Sequence, residues 1–288
     1  MEFSEKNQIV GGTLYLVATP IGNLADLSPR AEKVLAEVDM IAAEDTRNSA
    51  KLLSTFGLTG RPMLPYHEHN KRAAGEQIVA KLKAGASVAL VTDAGMPAIS
   101  DPGEDLVRRC AEEKIPVTAV PGCCAAVTAL ALSGLPTGRF AFEGFLPVPT
   151  GERKERLESI RTDTRTLILY SAPHKLKGDL ADLLEALGDR PAALCRELTK
   201  LNEEVFRTTL SGAIDFYKTA EPRGEYVLIL GGAGKEALRA EAFWAEMSPA
   251  EHVAYSEKLG LGRMDAIKAA AKDRGVGKNV IYQALLGE

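Results

Sequence analysis

Short apolar runs separated by amphipathic stretches constrain this chain more than any other feature. TLYLVAT (13–19), MIAAED (40–45), SVALVTD (87–93) and VTAVPG (117–122) read as strands, each closing where polar or turn-forming residues begin. Between them, SPRAEKVLAEVD opens with a serine N-cap and Pro29 in the first helical position. TRNSAKLLSTFG and NKRAAGEQIVAKLKAG run out into glycine, the usual helix stop. GEDLVRRCAEEK and the small-residue stretch GCCAAVTALALSG supply further helices. Strands alternating with helices imply βαβ units and a largely parallel sheet, with the ligand site at the carboxyl ends of the strands. The fold class is therefore α/β.

A break follows at Gly134-Leu135-Pro136-Thr137-Gly138, and beyond it the texture changes. FAFEGF, RTLILYSA, PAALCREL, EEVFRTTLSG and GEYVLILGG read as strands, with helices near 152–161, 174–187 and 212–219. PAALCREL and EEVFRTTL follow one another with no room for a crossover, which requires antiparallel pairing and hence a mixed sheet. From about residue 235 the chain reads as entirely helical, with a compact module from Ser248 that turns at 259–262 and 274–277. The expected division is a parallel α/β domain over 1–134, a second α/β domain over 135–233, and a helical module over 234–288.

Composition narrows the class. With 45% hydrophobic and 26% charged residues, the chain carries enough apolar surface for a core and enough charge for solubility. No apolar run approaches the ~18 residues of a membrane span, and the polar start MEFSEKNQ lacks a signal peptide's apolar region, so a cytoplasmic location is expected. Cys110, Cys123, Cys124 and Cys195 contain no CxxC pair, and the adjacent Cys123 and Cys124 read as small buried side chains rather than a strained disulfide. A net charge of −4 excludes holding nucleic acid by bulk charge, though not by a local basic patch.

The common nucleotide motifs are missing: no G-x-G-x-x-G follows the first strand, and there is no complete phosphate loop or G-x-S-x-G elbow. His67 and His69, two apart, could present two imidazoles to a metal; a polar loop at a strand end needs none, and zinc sites use wider spacings and more ligands. No metal is expected. The strand ends are richer. VATPIGNL (17–24) places turns after the first strand, AAEDTR (42–47) puts Glu44, Asp45 and Arg47 at the tip of the second, and VTDAGMPAISDPG (91–103) is a long loop of Gly, Pro and Asp. Several such loops at one sheet edge favour a small-molecule pocket.

The ordered series VATPIGNL, AAEDTR, YHEHN, VTDAGMPAISDPG, VPG before a small-residue helix, LYSAPHKL, CRELTKLNEE and GEYVLIL resembles the tetrapyrrole-methylase superfamily over about residues 12–232. The Glu-Asp-Thr-Arg, Tyr-His-Glu-His-Asn and Arg-Glu-Leu-Thr-Lys segments are most similar to its ribosomal RNA branch, which methylates a cytidine ribose 2′-hydroxyl in 16S rRNA. This resemblance implies two α/β domains with S-adenosylmethionine in the cleft between them, plus a helical tail. It also implies a homodimer acting on 16S rRNA or the assembled small subunit. Carried over by position, the cofactor-binding residues are Pro20, Asp93, Ala94, Gly95, Met96, Ile99, Ser100, Cys124, Ala125, Ser171, Ala172, Leu198 and Tyr226. The superfamily usually has Pro-Ser where this chain has Cys123-Cys124, which replaces a hydroxyl by a weaker thiol donor.

A ribose hydroxyl is a poor nucleophile while protonated, so a base or a nearby cation assists methyl transfer. Candidate bases are Asp45, Glu68 and Glu197, with a structural ion pair the competing role for each. Arg47, His67, Lys175, Arg196 and Lys200 are the candidate substrate-binding residues. For RNA, Arg153, Lys154, Arg156, Arg161 and Arg165 form one basic cluster. The tail from Lys258 to Gln283 forms another, with six basic residues against Asp265 and Asp273; a solvated face or dimer contact is the alternative use. Two other functions compete: a porphyrinoid C-methyltransferase on the same fold, and a non-catalytic RNA-binding module.

Overall fold

The computed structural model describes residues 8–234, 238–239 and 242–286. The chain forms two compact units, one of residues up to 158 together with 165–231, the other of 159–164 together with the chain from 232 onward.

The first unit holds two five-stranded sheets. One is all parallel, in the order β3-β2-β4-β1-β5. Its strands are β1 (Leu14–Val17), β2 (Met40–Ala43), β3 (Met63–Pro65), β4 (Val88–Val91) and β5 (Val117–Val120). The crossover helices are α1 (Pro29–Glu37), α2 (Thr46–Thr55), α3 (Lys71–Lys83) and α4 (Glu104–Glu112). Ser28 caps α1 as expected, its hydroxyl accepting from the Ala31 N–H. Along β1 the residues alternate between two cores. Leu14 packs with Ile78, Leu82, Leu90 and Leu106 on one face, whereas Tyr15 and Val17 pack with Val34, Leu35 and Leu53 on the other. A sheet covered on both faces explains why its strands read as continuous apolar runs. The sequence reading lacked β3: it is three residues long, ends in Pro65 and pairs only at the sheet edge, so it has no alternation to detect.

The second sheet is mixed, in the order β6-β7-β10-β8-β9. Its strands are β6 (Phe140–Phe145), β7 (Thr166–Ser171), β8 (Pro191–Arg196), β9 (Glu204–Thr209) and β10 (Tyr226–Leu230). β8 and β9 pair antiparallel, as their short connection requires, and β6 and β7 pair parallel. Three helices accompany these strands: α6 (Thr150–Ile160), α7 (Leu176–Leu187) and α8 (Leu210–Tyr217). Between the sheets in sequence runs α5 (Ala125–Ser133), whose Ala126, Ala129 and Leu130 pack on Ile168, Ala193, Cys195 and Ile229 of the second sheet. α5 carries no charged residue, although Val127 on its open side is 47% exposed.

In the other unit α9 (Pro249–Lys258), α10 (Arg263–Arg274) and α11 (Lys278–Leu286) enclose a small core of Val253, Ala266, Ile267, Ala270, Ala271 and Ile281. Ser248 and Glu251 form a reciprocal capping box at the start of α9, and left-handed Gly275 ends α10. Residues 242–248 are bends and turns rather than helix, and residues 235–237, 240 and 241, also read as helical, lie outside the described residues. Arg274 is committed inside this unit. Its guanidinium donates to the carbonyls of Met247 and Ser248 and to His252 Nδ1, and lies 5.1 Å over the Trp244 ring.

Candidate functional site

Strand order in the parallel sheet decides where a ligand can enter. β4 and β1 are neighbours, yet the connection after β1 leads to β2 while that after β4 leads to β5. Their loops diverge at the carboxyl edge and leave a crevice. A two-way bridge ties them at the root, the Thr19 N–H donating to the Gly95 carbonyl at 2.9 Å and the Gly95 N–H returning to Thr19 at 3.0 Å. Gly95 has φ +88°, and a Cβ there would sit 3.4 Å from Ile21 Cγ2. Farther along, Gly122 allows a similarly close approach, since its Cβ would come within 2.9 Å of the Ala18 methyl.

The loops are held in unusual backbone. Four of the five non-glycine residues with positive φ among the described residues lie in two loops: Ala98 (69°) and Ser100 (61°) after β4, and Glu197 (51°) and Thr199 (65°) after β8. Conformations of this kind persist only where the surroundings enforce them, and they gather at ligand sites.

Between these loops lies a cavity of about 380 Å³. The loop after β4 contributes Asp93, Ala94, Gly95, Met96, Ile99, Ser100 and Asp101; the start of α5 adds Cys124 and Ala125. The second sheet supplies Ser171 at the end of β7 and Ala172 just after it, Leu198 after β8, and Tyr226 at the start of β10. Antiparallel register explains that grouping, because Tyr226 pairs with both Ser171 and Arg196 and so brings three distant segments to one edge. Of the cofactor residues inferred from sequence, the cavity wall gathers all but Pro20, which is buried in the turn after β1.

The substrate-binding and catalytic candidates divide. Glu197 and Lys200 line the cavity as a pair at 3.0 Å. Burial works against Glu197's charge, but Lys200 and the Glu225 N–H outweigh it and hold the carboxyl below its ordinary value. Asp45, Glu68, Arg47, His67, Lys175 and Arg196 are not in the wall. Asp45 is the N-cap of α2 and is gripped by the Arg47 side chain and N–H, which hold it far below the carboxylate range. Glu68 pairs with Lys71 on the surface, Arg196 pairs with Glu204 at 2.6 Å, and Lys175 is the N-cap of α7. The His67 and His69 rings meet edge to face at 6.1 Å.

Sequence reasoning passed over Ile21, Asp101, Phe145, Tyr170, Glu225 and Val227, and it gave Glu44 no role in the site. Asp101 ends the very loop that was singled out, so its place in the chain was a usable signal. Phe145 and Tyr170 were not accessible from the sequence, since they reach the wall only through the pairing of β6 with β7. The result is a strongly acidic wall in which Glu44, Asp93, Asp101, Glu197 and Glu225 face Lys200. Burial, with Asp93 beside it, raises Glu44 above its ordinary value. Burial raises Asp101 further, to about 7, with Glu44 and Asp93 adding to the shift.

Two sequence expectations change. Cys110 and Cys195 are buried, but Cys123 and Cys124, expected to be buried, are only half so: Cys124 lines the cavity and the Cys123 thiol donates to the Asp26 carbonyl at 3.8 Å. The basic cluster on α6 is largely committed. Arg153 donates to Asp179 at 2.8 Å and to Asp182 at 2.6 Å, and Arg156 pairs with Glu143 at 3.0 Å. Asp179 also accepts from Ser171 at 2.5 Å, so this network braces a residue of the cavity wall.

Comparison with known proteins places this geometry in context. A family model described as Tetrapyrrole (Corrin/Porphyrin) Methylases matches residues 13–214. A protein of Halalkalibacterium halodurans named ribosomal RNA small subunit methyltransferase I is 49% identical over 94% of this chain and 93% of its own length. A Bacillus subtilis protein of the same name is 43% identical over 99% of this chain and 97% of its own. Among solved structures, uroporphyrin-III-C-methyltransferase from Thermus thermophilus matches with a TM-score of 0.54 at 22% identity, over 77% of this chain and 95% of its own. Diphthine synthase matches with a TM-score of 0.57 at 14% identity, over 76% and 89% respectively, so these two share the fold.

Proposed function

The chain belongs to the tetrapyrrole (corrin/porphyrin) methylase family, and from that membership we propose that it is an S-adenosylmethionine-dependent methyltransferase of small-subunit ribosomal RNA, acting on a cytidine ribose 2′-hydroxyl of 16S rRNA. The observation that carries this reading is likeness along nearly the whole chain, at 43–49% identity, to proteins named ribosomal RNA small subunit methyltransferase I. Porphyrin methylation, the alternative on the same fold, has the family description and structures of 19–22% identity behind it, against relatives of 43–49% identity for the RNA reading.

The cavity suits the cofactor on its own chemistry. S-adenosylmethionine bears a sulfonium and an ammonium, and Asp93, Glu197 and Glu225 set against one lysine make the wall complementary to such a cation. Ile21, Met96, Leu198 and Val227 offer apolar surface for a purine, and the left-handed loops present backbone groups that can read its edge. Asp93, Gly95, Ser100, Cys124, Ala172 and Tyr226 would hold the cofactor, which supplies an activated methyl group when bound. The chain's own residues orient the acceptor hydroxyl, exclude water and take up its proton. Lys200, beside Glu197 at the rim, is placed to meet a phosphate of the substrate.

The reading treats 1–134 and 135–233 as the two domains flanking the cofactor and 234–288 as a separate helical module. It includes a cytoplasmic homodimer, for which sedimentation is the check. Purified protein, labelled S-adenosylmethionine and small subunits or free 16S rRNA test the reaction, with ribose methylation mapped in rRNA from a deletion strain. Label entering uroporphyrinogen and not RNA would reverse the assignment.

A further inference from the structure

The cavity wall holds five carboxylates, and four have close partners: Glu44 accepts from the Asp93 N–H and Glu225 pairs with Lys200 at 3.5 Å. Glu197 is engaged by Lys200 and the Glu225 N–H, and Asp93 accepts from Asn48 at 2.8 Å. Asp45, outside the wall, is bound to Arg47. Among the described residues, Asp101 has no cation beside it, only the neutral Thr92 hydroxyl as a hydrogen-bonding neighbour. The charged and titratable groups that face it are Glu44 from the end of β2, Asp93 from the end of β4 and Tyr170 from β7, with no cation among them. Across the cavity lie Glu197, Lys200 and Glu225.

Its position is also fixed from both sides. Ala98 and Ser100 before it are held left-handed. Gly103 after it packs so closely that a Cβ would come within 2.8 Å of Leu90 Cδ2. A side chain on a pinned loop inside a ligand cavity is held ready for chemistry rather than left to rotate in solvent.

We propose that Asp101 is the proton acceptor of the methyl-transfer reaction. This inference rests on the function proposed above. As the acceptor oxygen forms its bond to the methyl carbon, the carbon–sulfur bond breaks and its electron pair stays on sulfur, which becomes a neutral thioether. The hydroxyl proton passes to the Asp101 carboxylate and later to water. A base is most effective when it titrates close to the working pH. Burial and the two neighbouring carboxylates bring Asp101 to about 7. Below that value Asp101 of the free protein is protonated and cannot accept, so kcat/KM climbs about tenfold per pH unit toward the inflection and levels off above it.

The test uses the full chain, small ribosomal subunits as substrate, and Asp101→Asn and Asp101→Glu variants. Asp101→Asn is expected to lose activity by about 10²–10⁴-fold, the usual worth of a positioned base, and to lose the pH inflection while binding S-adenosylmethionine normally by calorimetry. Asp101→Glu should recover part of the rate together with a pH-dependent profile. Carboxyl-carbon NMR of the free protein should show a titration near 7 that is absent from Asp101→Asn. Near-wild-type turnover by Asp101→Asn, an unchanged pH profile, or titration near 4 overturns the proposal. Lost cofactor affinity in Asp101→Asn overturns it too, by making Asp101 a binding group. Failure of the wild type to methylate the subunit is a different result, and removes the functional reading together with this inference.

Discussion

At the scale of single residues, the site trades stability for chemistry. Asp101 has an ordinary carboxylate value when unfolded and about 7 when folded, so the folded state holds the proton more tightly. Its contribution to stability is therefore best below about pH 4 and declines as pH rises toward about 7. Asp101→Asn should accordingly melt above the wild type at pH ~8, with the advantage shrinking toward pH ~4 in a scanning-fluorimetry series. Gly95→Val places a β-branched residue at φ +88°, at a cost of about 1–2 kcal/mol, and narrows the cavity mouth against Ile21. Calorimetry should show weakened S-adenosylmethionine binding. Gly57→Val, left-handed too but with nothing within 4 Å of its Cβ, should cost similar stability and leave cofactor affinity intact. Equal affinity losses in both would take the loop out of the site.

Among elements, α6 and α7 are joined through one buried carboxylate. Asp179 and Arg153 have side chains only 6% and 17% exposed, and Asp179 also accepts from Ser171 at the cavity edge. Asp179→Ala leaves Arg153 its second partner, Asp182 at 2.6 Å, but strips Ser171 of its acceptor, so it should cost about 1–3 kcal/mol in urea denaturation and loosen cofactor binding through Ser171. At the start of α9 the capping box predicts a smaller, local effect. Ser248→Ala should cost about 1 kcal/mol in the melting of the helical unit and leave cofactor binding unaltered, because Ser248 is absent from the cavity wall.

For the whole molecule, every residue of the cavity wall lies in the first compact unit. Truncation after Gly234 should therefore preserve S-adenosylmethionine affinity while sharply reducing rRNA methylation, if the helical module supplies phosphate contacts. Each lost contact should flatten the log–log salt dependence of RNA binding by about 0.7–0.9. Arg274 is spent on internal carbonyls, so the loss should come from the module's other cations, such as Lys268, Lys272 and Lys278. A truncated chain that binds and methylates RNA like the full chain would move the RNA surface elsewhere.

The sequence by itself determined the α/β class, nine of the ten described strands, the mixed character of the second sheet and the loops that line the cavity. These follow from local signals: apolar runs, caps, and glycines whose backbone must turn or approach closely. Tertiary structure alone decided which side chains meet. Phe145, Tyr170 and Glu225 reach the wall through strand register, and β3 pairs with β2 alone while Leu64 and Met63 pack into the two cores. The three acids offered as bases were chosen by residue type and nearness to a motif, and two of them lie outside the wall with cations of their own. What separates them from Asp101 is burial beside other carboxylates, an energy set by groups from β2, β4 and β7 together. No single stretch of sequence carries that information.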